Sequence, residues 1–387
     1  MTARMAKRAQ QIAPFHVMRI LQQARELEAQ GRSIIHMEIG EPDFASPATV
    51  IRAGKQALDE KHTHYTAANG LPELRDAIAN QYSEQVMIDA QRIIVTPGAS
   101  GALQLVMATL LDPADGIMMA DPGYPCNRHI ASLFNADVQA VAVNQETDYQ
   151  LSAELVERNW RDNTRVVLIA SPSNPTGTLI SPDQLSEIYQ LVQGKGAHLI
   201  VDEIYHGLVY NQQVPSALSY GDQLFVINSF SKFYGMTGWR VGWLVVPDQY
   251  IEVANRLAQN MFLAAPTISQ YAALAALDTE TRPELLRRRD IFHQRRDILL
   301  PLIEQTGFKV RTRPGGAFYI YADCSAISDD SMKLCDTLLH DAGVAITPGE
   351  DFGSNNSRVY VRFSYANTIE NLQEGMRRIQ LATRNAN

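Results

Sequence analysis

A chain of 387 residues with a formal net charge of −8 is too long for a single small module and too acidic for a dedicated nucleic-acid binder, whose phosphate contacts need a basic face. Apolar residues make up 45% and charged residues 20%, the balance of an ordinary globular protein, and no apolar run approaches the roughly 18 residues of a membrane span. Three cysteines, Cys126, Cys324 and Cys335, fit neither a zinc nor a disulfide framework and point to a reducing, cytoplasmic compartment.

The first residues carry Arg4, Lys7, Arg8 and Arg19 with no acid among them, and lack the apolar core of a secretory signal. They predict an arm that packs on the body or on a partner, followed by a helix over Phe15–Ala29. From there the chain alternates apolar runs with helical patterns. Strands are predicted at Arg92–Val95, Gly116–Ala120, Arg165–Ala170, His198–Val201 and Leu224–Asn228. Between them come helices at Gly101–Leu111, near Arg128 and at Asp183–Val192. Uninterrupted Val/Ile/Leu strands separated by helices signal a mostly parallel sheet covered on both faces, a three-layer α/β domain.

The pattern then changes. Glu284–Glu304 reads as one long helix whose arginines, at 287–289 and 295–296, are expected on a solvated face. A Gly315-Gly316 turn follows. Beyond it are a strand at Ala317–Tyr321, a helix at Ser331–Asp341, short strands near Val344–Ile346 and Arg358–Phe363, and a closing helix from Thr368. This predicts a smaller α+β domain built from both chain ends: residues 1–45 and 284–387 around a large domain of residues 46–283.

Loops beyond the C-terminal ends of parallel strands are where such sheets bind ligands. After Val95 comes Thr96-Pro97-Gly98-Ala99-Ser100-Gly101, a small-residue turn opening a helix. It is either a phosphate cradle of free N–H groups or simply a capped turn. After Ala170 comes Ser171-Pro172-Ser173-Asn174-Pro175-Thr176-Gly177, a rigid turn that presents the Asn174 amide or spends it on an Asx turn. Val201 is followed by Asp202, with Tyr205 three residues on. A carboxylate ending a buried strand is costly unless a cation meets it or it caps the next turn. Asn228 is followed by Ser229-Phe230-Ser231-Lys232, with Arg240 eight residues past the lysine. A lysine desolvated among aromatics and hydroxyls becomes a nucleophilic amine; otherwise it is a surface lysine on a loop. His62 and His64 form an H-x-H pair without a third ligand, so no metal site is expected.

Ser-Asn-Pro-Thr-Gly at 173–177, Asp-Glu-Ile-Tyr at 202–205 and Ser-Phe-Ser-Lys at 229–232, with Arg240 beyond, resemble the class I/II aminotransferases of the aspartate-aminotransferase fold (fold type I). The resemblance runs from about Ile34 to the C-terminal helix. It implies pyridoxal 5'-phosphate bound as a Schiff base to Lys232, which also shuttles the substrate Cα proton. Asp202 would keep the ring nitrogen protonated, and Asn174 and Tyr205 would hydrogen-bond the ring's phenolic oxygen. Ala99, Ser100, Ser229 and Arg240 would hold the phosphate, and Tyr124 would stack on the ring. Arg362 matches the arginine that grips the substrate carboxylate. Gly40 matches a glycine that lets substrate approach. Tyr65 matches a tyrosine reaching the phosphate in a neighbouring subunit, which implies a homodimer with sites at its interface. The expected partners are an L-amino acid and a 2-oxo acid such as pyruvate or 2-oxoglutarate.

Three readings compete with an aminotransferase. A β-carbon–sulfur lyase on the same fold needs the same residues. A fold-based regulator wants a DNA-binding domain ahead of Phe15, where there is no room for one. A non-catalytic binding protein would not need every chemical position filled. In one aspartate-active branch of the family a lysine after a Gly-Gly pair binds the distal carboxylate; here that place reads Gly98-Ala99-Ser100. Neutral donors, aliphatic or aromatic, are therefore expected.

Overall fold

The computed structural model describes residues 5–384, so Arg4 of the basic arm lies outside the described residues. The rest of that arm forms a short helix, Lys7–Gln11, against the helix Pro125–Leu133. Strand β1 (Ile35–His36) precedes a seven-stranded sheet. Its members are β2 (Ile93–Thr96), β3 (Gly116–Asp121), β4 (Asp137–Ala142), β5 (Thr164–Ala170), β6 (His198–Asp202), β7 (Leu224–Ser229) and β8 (Gly242–Val245). The spatial order is β2-β8-β7-β6-β5-β3-β4, and β8 alone runs against the others. The sheet is thus mostly parallel, and the chain has the expected α/β architecture.

Successive strand residues point to opposite faces, and both faces are apolar. Val95, Val167, Val201 and Val226 enter one core, while Ile94, Leu168, Ile200 and Phe225 enter the other. This is why the strands read as unbroken hydrophobic runs rather than alternating ones. β4 and β8 were not legible in that way. β4 alternates buried and exposed residues at the sheet edge. β8 is only four residues long and follows a turn of 3-10 helix at Thr237–Trp239.

A third core gathers Ile20, Leu27 and Met37 from the start of the chain with Phe292, Phe318, Phe363 and Ile379 from its end. It surrounds β9 (Tyr319–Asp323), β10 (Val344–Ala345), β11 (Thr347–Pro348) and β12 (Tyr360–Ser364). β11, β12 and β9 form an antiparallel sheet, while β10 pairs in parallel with β1 and ties the two chain ends together. β9 starts two residues later than predicted because Ala317 takes a left-handed conformation, φ 56°. The helix predicted to reach Asp341 is α-helical only over Ser331–Thr337 and continues as a wider turn through Leu338–Ala342.

The long helix spans Arg282–Gln305, and here one expectation is corrected. Arg295 and Arg296 do not face solvent; they are 5% and 3% exposed. Arg295 grips Asp43 with two bonds of 2.7 and 2.8 Å, and Arg296 donates to the Pro314 carbonyl at 2.9 Å while lying over the Tyr210 ring. Pairing offsets the desolvation that otherwise keeps arginine outside. Arg287, bonded to Glu284, does stay on the surface. No helix among the described residues is long and apolar enough to cross a membrane.

Candidate active site

β7, β6, β5 and β3 lie side by side and run the same way, so their C-terminal ends open on one crevice. A cavity of about 470 Å³ occupies it, a volume suited to a small organic ligand. Each strand delivers one chemical group. Lys232 comes from the loop after β7, Asp202 from the end of β6, Asn174 from the turn after β5, and Tyr124 from the loop after β3; all four line the cavity.

The Lys232 amine donates to the Gly40 carbonyl at 2.6 Å and lies about 6 Å from the ring centres of Tyr205 and Phe318. Desolvation pushes its pKa down to about 8. Arg362 and Arg240 push the same way, and the charge of Glu41 opposes them. A sizeable fraction of free amine therefore exists near neutral pH. A Cβ on Gly40 would come 2.3 Å from the Tyr319 hydroxyl, so only glycine keeps this carbonyl against the lysine.

Asp202 is 9% exposed, and one carboxylate oxygen accepts the Ile204 N–H at 3.0 Å. Burial raises its pKa to about 6, against the smaller effects of that bond and of Lys232. No basic side chain among the described residues forms an ion pair with it. Its neighbour Glu203 is more deeply buried but fully engaged with Ser216 and the Ala217 N–H, and is structural. The Tyr205 hydroxyl sits 2.9 Å from that of Tyr319, and burial keeps it protonated.

Gly98 has φ +72°, and a Cβ there would lie 2.6 Å from an Arg240 guanidinium nitrogen. The backbone opening the helix Gly98–Leu110 is thus pressed against the arginine. The first-turn N–H groups around Ala99 and Ser100 and the guanidinium make one anion cradle. Ser229 is 1% exposed and does not line the cavity; its hydroxyl lies 2.9 Å from that of Ser231 and 3.1 Å from the Val241 carbonyl. Ser231 faces the cavity in its place. Sequence reasoning missed Ser231 and Tyr319, both of which line the cavity.

Arg362, on β12, is 3% exposed. It donates to Asn174 Oδ1 at 2.9 Å and to the Glu38 carbonyl, and its plane lies 4.2 Å from the Tyr319 ring centre. Its Nε has no partner, and no carboxylate forms an ion pair with it among the described residues. A buried guanidinium in that state is costly, and a planar carboxylate arriving in the cavity satisfies it. Tyr65 stands apart from this cavity and is 82% exposed. His62 also lies elsewhere, stacked on Tyr271.

The cavity combines a nucleophilic amine, an unpaired buried carboxylate, an anion cradle and an unpaired buried guanidinium. The model of the family described as aminotransferase class I and II matches residues 32–379. The chain is 37% identical to a (5-formylfuran-3-yl)methyl phosphate transaminase of Methanocaldococcus jannaschii, over 97% of this chain and 98% of that protein. It is 36% identical to a valine–pyruvate aminotransferase of Mycobacterium tuberculosis, over 98% of each. The crystal structure of an aminotransferase from Mycobacterium tuberculosis superposes with a TM-score of 0.96 at 35% identity, covering 99% of this chain and 100% of that one. Members of this family work with pyridoxal phosphate. With the family model, the relatives and the solved structures in agreement over nearly its whole length, the chain belongs to the class I and II aminotransferases and is a transaminase.

Proposed function

We propose that this transaminase binds pyridoxal 5'-phosphate in the cavity and moves the amino group of a neutral L-amino acid, aliphatic or aromatic, to pyruvate or 2-oxoglutarate. The cofactor supplies an electron sink for the substrate's Cα electrons. Lys232 holds it covalently and carries the Cα proton. Asp202 keeps the ring nitrogen protonated, Asn174 and Tyr205 bond the ring oxygen, and Tyr124 covers the ring. Ala99, Ser100, Ser231 and Arg240 hold the phosphate. The observation that carries the reading is Arg362, a buried guanidinium without an acid, opening on the same cavity as Lys232.

The substrate class rests on the wall beside Arg362. Phe15, Val17, Met18 and Leu21 present an apolar surface, and no lysine stands at Gly98–Ser100 to meet a distal carboxylate. The relative named for valine and pyruvate fits that wall. Arg25, on the same helix, also lines the cavity. Mixing holoenzyme with a panel of donors and following the cofactor's absorbance tests this. Leucine, valine and phenylalanine should show kcat/KM at least about tenfold above aspartate. Aspartate as the best donor contradicts the reading. Without an acceptor each site should turn over once; sustained release of a thiol, pyruvate and ammonia from a donor carrying a β-thioether would mark a lyase instead.

A homodimer is the third part of the proposal. Tyr65 is a large side chain held in the open, on a loop fixed by the bond from Thr267 Oγ1 to the His64 carbonyl at 2.7 Å. Leu263 on the neighbouring loop is 47% exposed. Such apolar exposure belongs at an interface, where Tyr65 reaches the phosphate of the partner's cofactor. Mixing Tyr65→Phe subunits with Lys232→Ala subunits then puts both lesions in one site and leaves the other intact. Activity should exceed the sum of the two mutant homodimers. No gain after demonstrated subunit exchange rules the arrangement out.

A further inference from the structure

The turn Gly349–Asp351 and its neighbour Phe352 pack beside the site. The Phe352 ring lies 4.9 Å from the Arg362 guanidinium. The Phe352 carbonyl accepts the Gly123 N–H at 2.8 Å, next to Tyr124. Asp351 turns the other way, towards the start of the chain. Its carboxylate is 2% exposed; one oxygen accepts the His16 N–H at 2.7 Å and the other the Val17 N–H at 2.8 Å.

Those two N–H groups open the helix His16–Ala29, whose own N-cap residue, Phe15, supplies no side-chain bond. They are orphan donors of a helix end, and a carboxylate there is favoured by both the bonds and the dipole. The cap comes from more than 300 residues away in sequence. Arg128 steadies it by donating to the Asp351 carbonyl at 2.6 Å. The helix so held is a wall of the cavity: Phe15 meets Tyr124 edge-on at 6.3 Å, and Val17, Met18 and Leu21 line it.

We propose that Asp351 is a positioning residue for donor selection: by accepting the His16 and Val17 N–H groups it fixes the helix that walls the side-chain lobe, so binding of large apolar donors depends on it. The inference rests on reading that lobe as the place of the donor's side chain. Arg362 and Lys232 do not move with the helix, since they are held by β12 and by the loop after β7. Small donors, which reach only those two groups, do not need the wall.

The test compares wild-type, Asp351→Ala and Asp351→Asn holoenzymes with leucine and alanine as donors. In Asp351→Ala the KM for leucine should rise about fivefold to tenfold, the scale of a lost helix cap. The KM for alanine and both kcat values should stay within about twofold, since neither Lys232 nor Arg362 is hydrogen-bonded to Asp351 and both keep their own partners. Asp351→Asn keeps one acceptor oxygen and should fall between. Amide hydrogen exchange over residues 16–20 should accelerate in Asp351→Ala, whatever the donor. Equal KM changes for both donors, or unchanged exchange, overturn the proposal. Failure of the lobe reading would show instead in the wild type, as no preference for leucine over alanine. Exchange then decides the Asp351 contact alone: acceleration supports it and no change overturns it.

Discussion

Lys232→Ala should lower kcat by about 10⁴-fold or more while the protein stays folded, because one side chain serves as both nucleophile and proton carrier. The amine is positioned from both sides. β7 delivers it, and the Gly40 carbonyl, kept close by the absence of a Cβ, receives it. Its depressed pKa sets a pH dependence that can be read apart from turnover. Below about 8 the amine is protonated and cannot attack the cofactor's aldehyde; above it, the free amine dominates. The rate at which apoprotein captures pyridoxal phosphate should therefore rise with pH through about 8 and then level. A capture rate flat between pH 6 and 9 would contradict the desolvated environment. In the apoprotein, alanine substitution should leave the melting temperature near or above wild type, since it removes a cation that burial disfavours.

Asp202→Ala should cost about 10³-fold in kcat, the scale of removing a preorganised electrostatic partner. The carboxylate is buried without a cation, and that is the state a protonated ring nitrogen relieves. The same burial predicts an effect on the apoprotein. A carboxyl whose folded pKa of about 6 lies above its unfolded value costs stability at neutral pH, and the cost disappears as the pH falls below the unfolded pKa. Asp202→Asn apoprotein should thus be more stable than wild-type apoprotein at pH 7.5, by about 2 kcal/mol. The gap should close near pH 4. Denaturant unfolding at the two pH values measures it. A destabilised Asn variant at pH 7.5 would mean that the carboxylate has a partner which its burial conceals.

What could be read from the sequence followed from position on strands. Apolar runs that end on Asn174, Asp202 and Lys232 put three polar groups at neighbouring strand ends, and the parallel sheet gathers them. Where tertiary contacts decide, the sequence was silent or misleading. Arg295 and Arg296 turn inward because Asp43 and Pro314, distant in sequence, are there to receive them. Ser229 is the last residue of β7 and spends its hydroxyl on Ser231 and the Val241 carbonyl, whereas Ser231 lies past the strand end, where alternation no longer applies. Tyr319 enters the site at the start of β9, after the left-handed residue Ala317 and a Gly315-Gly316 turn whose N–H groups donate to the Gly177 carbonyl. The wall helix was predicted, but its anchorage to Asp351 belongs to the fold alone.

The central claim is that Lys232 carries the cofactor. Holoenzyme reduced with borohydride, digested and mapped by mass spectrometry tests it most directly. The account predicts the reduced pyridoxyl label on the peptide containing Lys232, and no label after Lys232→Ala. A label on another lysine, or full labelling of the Lys232→Ala chain, would contradict it.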